Sequence, residues 1–336
     1  MYLSIIVPFF NSEKKSKRLL NTLHNIKDKE IEIILVDDGS TDNTYSIISS
    51  FKKENSDKKV IVIKQSNKGP GGARNTGVKA AEGRYIWFVD SDDDITLEGL
   101  AFIRENYKRG FDFIDFNFES TRNYTDSMSL LPGEYVGKEK CQTILLNNFG
   151  HLWTKVIKRK IIIDNEVFYP EFCIYEDNPL VFIYPHFISS FLKTDIIAYI
   201  HHEEYESVTR SKPGARFLDR LHTAAYGFKK GSQLTDNQDY MNIMKQHFIR
   251  LYFTNTVGSL VTVYPSYNWL VMLRVMKHYR KVSKDLGIDN NPFETVKGSI
   301  KYRAYLKANW VLSYLILKDQ TGFFDTKRKE AWGDNA

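Results

Sequence analysis

The chain has 336 residues, 42% of them apolar and 26% charged, with a net charge of +6. That length suits a nucleotide-binding domain plus a second, smaller unit, and the composition excludes collagen-like, disordered and disulfide-scaffold chains. The modest charge singles out no basic stripe, so nucleic acid is not an expected partner, and Cys141 and Cys173, without zinc or redox spacing, point to a reducing cytosol.

The opening MYLSIIVPFFNSE has no basic leader followed by a long apolar region, and reads as a buried strand. No apolar run approaches the roughly 18 residues of a bilayer span; Tyr175–Phe191 and Trp310–Leu317 are broken by charge or short. From Leu3 to about Phe118, LSIIVPF, IEIILV, VIVIK, YIWFV and FDFIDF read as strands alternating with amphipathic stretches. This is an α/β pattern, predicting a mostly parallel, doubly wound sheet with flanking helices. Leu19, Leu20, Leu23 and Ile26 recur at helical spacing behind Asn11 and Ser12, which can cap a first turn. Thr41 and Asp42 could start the next helix, and a third is expected from near Gly72 to a closing Gly83. A looser stretch past Asn123 leads to a second set of motifs between His151 and Arg210.

From Pro213 onward, residues such as Phe217, Leu221, Phe248, Tyr252 and Val275 recur at helix-like intervals. The expected organisation is a catalytic domain over 1–212, with a donor half (1–118) and an acceptor-facing half (119–212), then a smaller, mainly helical region over 213–336. Those helices could pack into an oligomer, bind a long acceptor or rest on the inner face of a membrane. Tyr264–Arg280 fits an interfacial helix, and ordinary burial explains it more readily.

Polar residues that could do chemistry fall at the C-terminal strand ends, where ligands bind in such sheets. The four segments are Pro8-Phe9-Phe10-Asn11, Asp37-Asp38-Gly39-Ser40-Thr41-Asp42, Asn67-Lys68-Gly69-Pro70-Gly71-Gly72-Ala73-Arg74-Asn75 and Asp90-Ser91-Asp92-Asp93-Asp94. So many carboxylates after an apolar strand need cations or solvent, and oxygen ligands suit Mn²⁺ or Mg²⁺ gripping a diphosphate. The alternative is a solvated acidic loop with Asp94 capping the next helix. Asp37 and Asp38 could form an Asx-type turn, or accept hydrogen bonds from a base or ribose. The glycines allow close backbone approach, and Lys68 and Arg74 supply cations suited to phosphate.

IIVPFFN, ILVDDGSTDNT, NKGPGGARNTG and FVDSDD, in this order, resemble the family 2 glycosyltransferases of GT-A fold. The resemblance implies that Pro8, Phe10 and Asp38 flank the nucleobase, that Asn11, Asn67, Lys68, Gly72 and Arg74 lie near the nucleotide sugar, and that Asp90-Ser91-Asp92 is the metal-binding DXD. Asp92 would be the first metal ligand, with Asp90 nearer the ribose or donor sugar. The likeness continues more loosely to Leu152-Trp153-Thr154-Lys155 and Tyr175-Glu176-Asp177-Asn178. In the family an acidic residue of the latter is the general base: Asp177, with Glu176 as alternative, unless the pair caps a helix from Asn178. His201, His202, Ser207 and Arg210 fall where relatives place a loop over the diphosphate, although both histidines could equally pack or face solvent. Trp153 and Lys155 would contact diphosphate or acceptor, and Trp153 could instead be core.

The implied activity is inverting transfer of a sugar from a nucleoside diphosphate sugar, a UDP-sugar by preference, with Mn²⁺ or Mg²⁺. The acceptor would be a hydroxyl of a glycan or lipid-linked saccharide of a bacterial cell-surface polymer, reached from the cytoplasm and with peripheral contact at the inner membrane face. A non-catalytic nucleotide- or glycan-binding protein on the same scaffold would be expected to have lost the DXD or the base, and both are present. A receiver domain is opposed by the chain length, the glycine loop and the second motif set.

Overall fold

A computed structural model of the chain describes residues 1–120, 128–202, 215–262, 269–289, 291–316 and 321–332. The chain divides into two compact units, Met1–Phe172 with Tyr184–Ser207, and Cys173–Ile183 with Val208–Ala336. This differs from a single boundary at 212: the Tyr175–Asn178 motif, expected in the catalytic domain, belongs by its contacts to the helical unit.

The described residues of the first unit form one nine-stranded sheet. Its strands are β1 (Leu3–Phe9), β2 (Ile31–Asp38), β3 (Lys59–Gln65), β4 (Tyr85–Phe88), β5 (Asp94–Ile95), β6 (Phe113–Ser120), β7 (Gly133–Val136), β8 (Lys155–Lys158) and β9 (Ser190–His201). They lie in the order β3-β2-β1-β4-β8-β6-β9-β5, with β7 on β9. β3, β2, β1 and β4 are mutually parallel, as expected. The remainder is mixed: β8 runs antiparallel to β4 and β6, β6 is parallel to β9, and β5 and β7 run antiparallel to β9. One sheet thus spans both expected halves.

Every residue of β2 is buried, and β1 is buried except at Pro8, because helices cover both faces of these central strands. Ile5, Val7 and Phe9 join a core with Leu19 and Leu23 of α1 (Lys17–Asn25), Ile48 and Phe51 of α2 (Thr44–Glu54), and Trp87. Each such side chain stabilises the fold by about 1.5–3 kcal/mol relative to exposure. On the opposite face Ile6 abuts α3 (Gly69–Ala80) at Gly77.

The expected helix starts hold at Asp42 and differ elsewhere. Ser16 precedes α1 without a side-chain cap bond, while Asp42 accepts from the Thr44 N–H (3.0 Å) at the start of α2. α3 begins at Gly69 rather than near Gly72 and ends at Ala80; Gly83 instead donates its N–H to Ser4 Oγ (2.9 Å) and Glu32 Oε1 (2.8 Å), which ties it to the first two strands. Thr96, not Asp94, caps α4 (Leu97–Asn106), accepting from the Gly99 N–H. Two further helices, α5 (Lys138–Asn147) and α6 (Arg159–Asp164), complete the described helices of this unit.

The second unit contains α7 (Leu180–Ile183), α8 (Asp219–Ser232), α9 (Gln238–Phe248), α10 (Thr256–Thr262), α11 (Trp269–Asp285), α12 (Ile300–Ile316) and α13 (Thr321–Trp332). Its core is aromatic, with Phe228, Phe248, Tyr252, Phe253 and Tyr279 buried in successive ring contacts. Met272, Leu273, Val275, Met276 and Tyr279 of α11 are buried, so the described part of the segment considered for an interface is an ordinary packed helix; Tyr264 lies outside the described residues. Among the described residues no helix is long and apolar enough to cross a membrane.

Candidate active site

β1 continues to β2 on one side and pairs with β4 on the other, so a crevice is expected beyond the C-terminal ends of β1 and β4. Side chains stitch the four loops there. Asn11, in the left-handed region at φ 48°, accepts at Oδ1 from the Thr41 N–H (2.8 Å), and its own N–H donates to Ser40 Oγ (3.0 Å). It fastens the first loop to the second instead of capping a helix. The Ser12 N–H donates to Thr44 Oγ1 (2.8 Å), and its hydroxyl lies 2.9 Å from that of Ser91, which joins the first loop to the fourth. Phe10 stands exposed between these ties, and Pro8, beside it in sequence, is the half-buried residue of β1.

Asp37 accepts from the Ser40 N–H, three residues on, at 3.2 Å, which braces the turn after β2 in place of an Asx turn. Gly39 follows at φ 75°, where a Cβ would stand 2.9 Å from the Asn67 nitrogen. Asp38 is buried and accepts from the Lys68 N–H (2.9 Å) and Gln65 Nε2 (2.7 Å); burial nevertheless pushes its carboxyl above the ordinary value. Asn67 Oδ1 accepts from the Gly69 N–H at 3.0 Å. A Cβ at Gly72 would come 2.4 Å from the Lys68 Cβ, so the glycine loop closes on itself. Lys68 Nζ is 3.7 Å from Glu171 and partly exposed. Arg74 is spoken for: it pairs with Asp90 at 2.6 Å over the Tyr169 ring. The pair ties the glycine loop to the acidic loop. Asn75 clamps the Tyr169 backbone, donating to its carbonyl and accepting from its N–H, both at 2.9 Å.

Within the acidic loop the carboxylates separate by partner. Asp93 is buried and accepts from the Tyr199 hydroxyl (2.6 Å), the His202 N–H (2.9 Å) and His201 Nδ1 (3.1 Å), while Tyr199 also accepts from the Asp90 N–H (3.1 Å). The Asp93 carboxylate holds His201 above its ordinary pKa, against burial. Asp92 differs: burial and the negative charges of Asp90 and Asp93 push its carboxyl up to about 6. A carboxylate so crowded gains from a nearby cation. Among the described residues no group of three or more His, Cys, Asp or Glu side chains is arranged to hold a metal. An oxygen-only set of one or two carboxylates still fits Mg²⁺ or Mn²⁺, for which substrate phosphate and water complete the shell.

Trp153 is half-buried, its ring stacked on His151 (4.6 Å between centroids) and His201 (5.7 Å) and tilted on Tyr199 (4.4 Å). It joins the β8 and β9 ends to the acidic loop. Lys155, expected at the diphosphate or acceptor, is fully buried; its Nζ pairs with Asp115 (2.8 Å) and donates to the His151 carbonyl (3.0 Å). That side chain is part of the core. His202 contributes its backbone to Asp93, and Ser207 and Arg210 lie outside the described residues.

In the helical unit, Tyr175 takes φ 62°, an uncommon state for a bulky residue and one found at functional sites. Asn178 and Leu180 donate their N–H groups to the carbonyls of Tyr175 (3.2 Å) and Asp177 (3.0 Å). The helix expected from Asn178 starts at Leu180. Glu176 is 7% exposed, whereas Asp177 faces solvent. Sequence reasoning missed Tyr199 and Glu171 and gave Asp93 no separate role. Tyr199 and His201, two apart on a strand and so on one face, were the available signal.

Residues 4–164 match the family model described as glycosyl transferase family 2. The poly(ribitol-phosphate) beta-N-acetylglucosaminyltransferase TarS of Staphylococcus aureus (strain Mu50) is 34% identical over 181 residues, 51% of this chain and 30% of that protein. A cholesterol galactosyltransferase of Borreliella burgdorferi is 26% identical over 270 residues, 74% and 73% of the two chains. The chain therefore spans about a third of the length of TarS. The fold is also that of the crystal structure of S. aureus TarS 1-349 in complex with UDP-GlcNAc, with TM-score 0.68, 22% identity and coverage of 94% of this chain and 89% of that one. Four strings on adjoining strand ends thus fall inside the segment from Ser4 to Asp164, just under half of the chain, that matches the family 2 glycosyltransferases.

Proposed function

We propose that this chain transfers a sugar, with inversion, from a nucleoside diphosphate sugar, most simply a UDP-sugar, to a hydroxyl of a glycan or lipid-linked saccharide in cell-surface polymer synthesis. The observation that carries the reading is the stitched set of four loops ending in the crowded Asp90–Asp93 carboxylates. The base would lie between Phe10 and Asp38, the first exposed and the second already orienting the glycine loop. Asp92, with Asp90 held by Arg74, would bind Mn²⁺ or Mg²⁺, which when bound neutralises charge on the departing diphosphate. Asp177 takes the proton of the acceptor hydroxyl as that oxygen bonds to the anomeric carbon; the bond from that carbon to the diphosphate oxygen breaks, and the nucleoside diphosphate leaves with the electron pair. Exposure favours Asp177 over the buried Glu176 for this task. The resemblance to TarS and to a GalNAc(5)-diNAcBac-PP-undecaprenol beta-1,3-glucosyltransferase of Campylobacter jejuni supports a surface-polymer or lipid-linked acceptor.

Two experiments test it. A thermal-shift and UDP-release panel of common nucleotide sugars, with Mn²⁺ or with EDTA, should give metal-dependent stabilisation and slow hydrolysis for one donor. No response to any donor would favour a binding scaffold. Asp177→Asn should keep donor affinity while turnover falls at least roughly a hundredfold, as for a lost general base; unchanged turnover would move the role to Glu176 or elsewhere.

A further inference from the structure

Asp219 and Arg220, the first two residues of α8, converge on the Cys173–Asn178 segment from within the same unit. Asp219 is fully buried, and its Oδ2 accepts two hydrogen bonds, from the Ile174 N–H at 3.0 Å and from Trp332 Nε1 of α13 at 2.9 Å. Its Oδ1 is buried with no hydrogen-bond partner. Arg220 lays its guanidinium over the Tyr175 ring at 4.2 Å. Trp332 is in turn covered by the Arg216 guanidinium, 4.1 Å from its ring centroid.

A buried carboxylate that leaves one oxygen without a hydrogen bond is costly. Its use is geometric. Tyr175 is held in the left-handed region, a state that costs about 1–3 kcal/mol and persists only where its surroundings over-determine it. Here the residue before Tyr175 is fixed by its N–H and Tyr175 itself by its ring, both from α8. Asp219 and Arg220 thus brace the backbone turn that leads into Glu176 and Asp177.

We propose that Asp219 is a positioning residue for transfer, anchoring the segment that carries the proton acceptor through Ile174, with Trp332 of the C-terminal helix holding the Asp219 carboxylate in place. The proposal rests on Asp177 being the base. Asp219 touches no substrate, so its loss should lower turnover and leave donor binding alone.

The test compares Asp219→Ala, Asp219→Asn, Trp332→Phe and Asp177→Asn in the full chain, each checked for cooperative unfolding, by UDP-sugar affinity, kcat for transfer and donor KM. Asp219→Ala should lose at least roughly tenfold in kcat, with donor affinity within about twofold of the parent, the signature of an interaction lost on the path to the transition state. Asp219→Asn keeps an oxygen to accept both N–H groups and should recover most of that loss. Trp332→Phe removes one of the two bonds and should fall between. Wild-type kcat in a folded Asp219→Ala, or equal losses in the Ala and Asn variants alongside proportionate loss of donor binding, would overturn the proposal. If Asp177→Asn keeps full turnover, the base assignment fails whatever Asp219 does; if it is inactive while Asp219→Ala turns over normally, only the positioning role fails.

Discussion

Two of the regions in which the sheet unit buries carboxylates balance them in opposite ways. Asp115, on β6, is fully buried between the ammonium groups of Lys155 (2.8 Å) and Lys193 (3.3 Å). The loop after β4 crowds Asp90, Asp92 and Asp93 together, with Arg74 on Asp90 and His201 on Asp93; the charge of Lys15 does not offset burial and the two neighbouring carboxylates at Asp92, whose carboxyl is pushed up to about 6. The first region has more cationic than anionic groups and closes on itself; the second is short of positive charge. A buried acid whose neighbours already supply its counter-charge is architecture. One whose neighbours add like charge is held for something that arrives from outside.

The difference can be broken from either side. Lys155→Met should cost about 3–5 kcal/mol of stability, because it strips a partner from a buried charge, and should appear as a lowered Tm. Retained stability would mean that Lys193 alone satisfies Asp115 and that the two regions are less unlike than the distances imply. Asp92→Asn should do the reverse: in EDTA its Tm should equal or exceed that of the parent, since a crowded charge is removed, and a clear drop would make Asp92 structural. Thr96→Ala, beside the acidic loop but outside its charge balance, should cost about 1 kcal/mol as a lost helix cap and leave metal response unchanged.

The smallest effect concerns Asp219, whose carboxyl burial pushes up to about 6. A raised carboxyl favours the folded state fully below the unfolded value of about 3.9, and that contribution is lost as pH rises through about 6. The parent should therefore gain stability relative to Asp219→Asn as pH falls from 7 to 5, and parallel pH profiles of unfolding would show that this carboxyl does not titrate there.

β1, β2 and β4 were legible because a parallel strand buried on both faces is a continuous apolar run, and the residues after it are forced to the ligand edge; β3, half-buried at the sheet edge, still shows the apolar run VIVI. The acidic loop was legible for the same reason. Lys155 was misread because its partner Asp115 lies 40 residues away on another strand, and nothing beside Lys155 in sequence separates a buried ammonium from one that meets phosphate. Arg74 drew attention as a phosphate cation because its pairing with Asp90 exists only once α3 and β4 adjoin. Asn11 looked like a cap because the residue types that cap helices also staple loops. The membership of residues 173–183 in the helical unit follows from long-range contacts that periodicity does not encode.

The claim that the loop after β4 awaits a cation and a diphosphate is tested most directly by calorimetric titration of UDP into the parent and Asp92→Asn, each with Mn²⁺ and with EDTA. The account predicts binding to the parent that weakens at least roughly tenfold in EDTA, about 1.4 kcal/mol, and an Asp92→Asn protein whose weaker binding no longer responds to Mn²⁺. Equal affinity in all four titrations would contradict it.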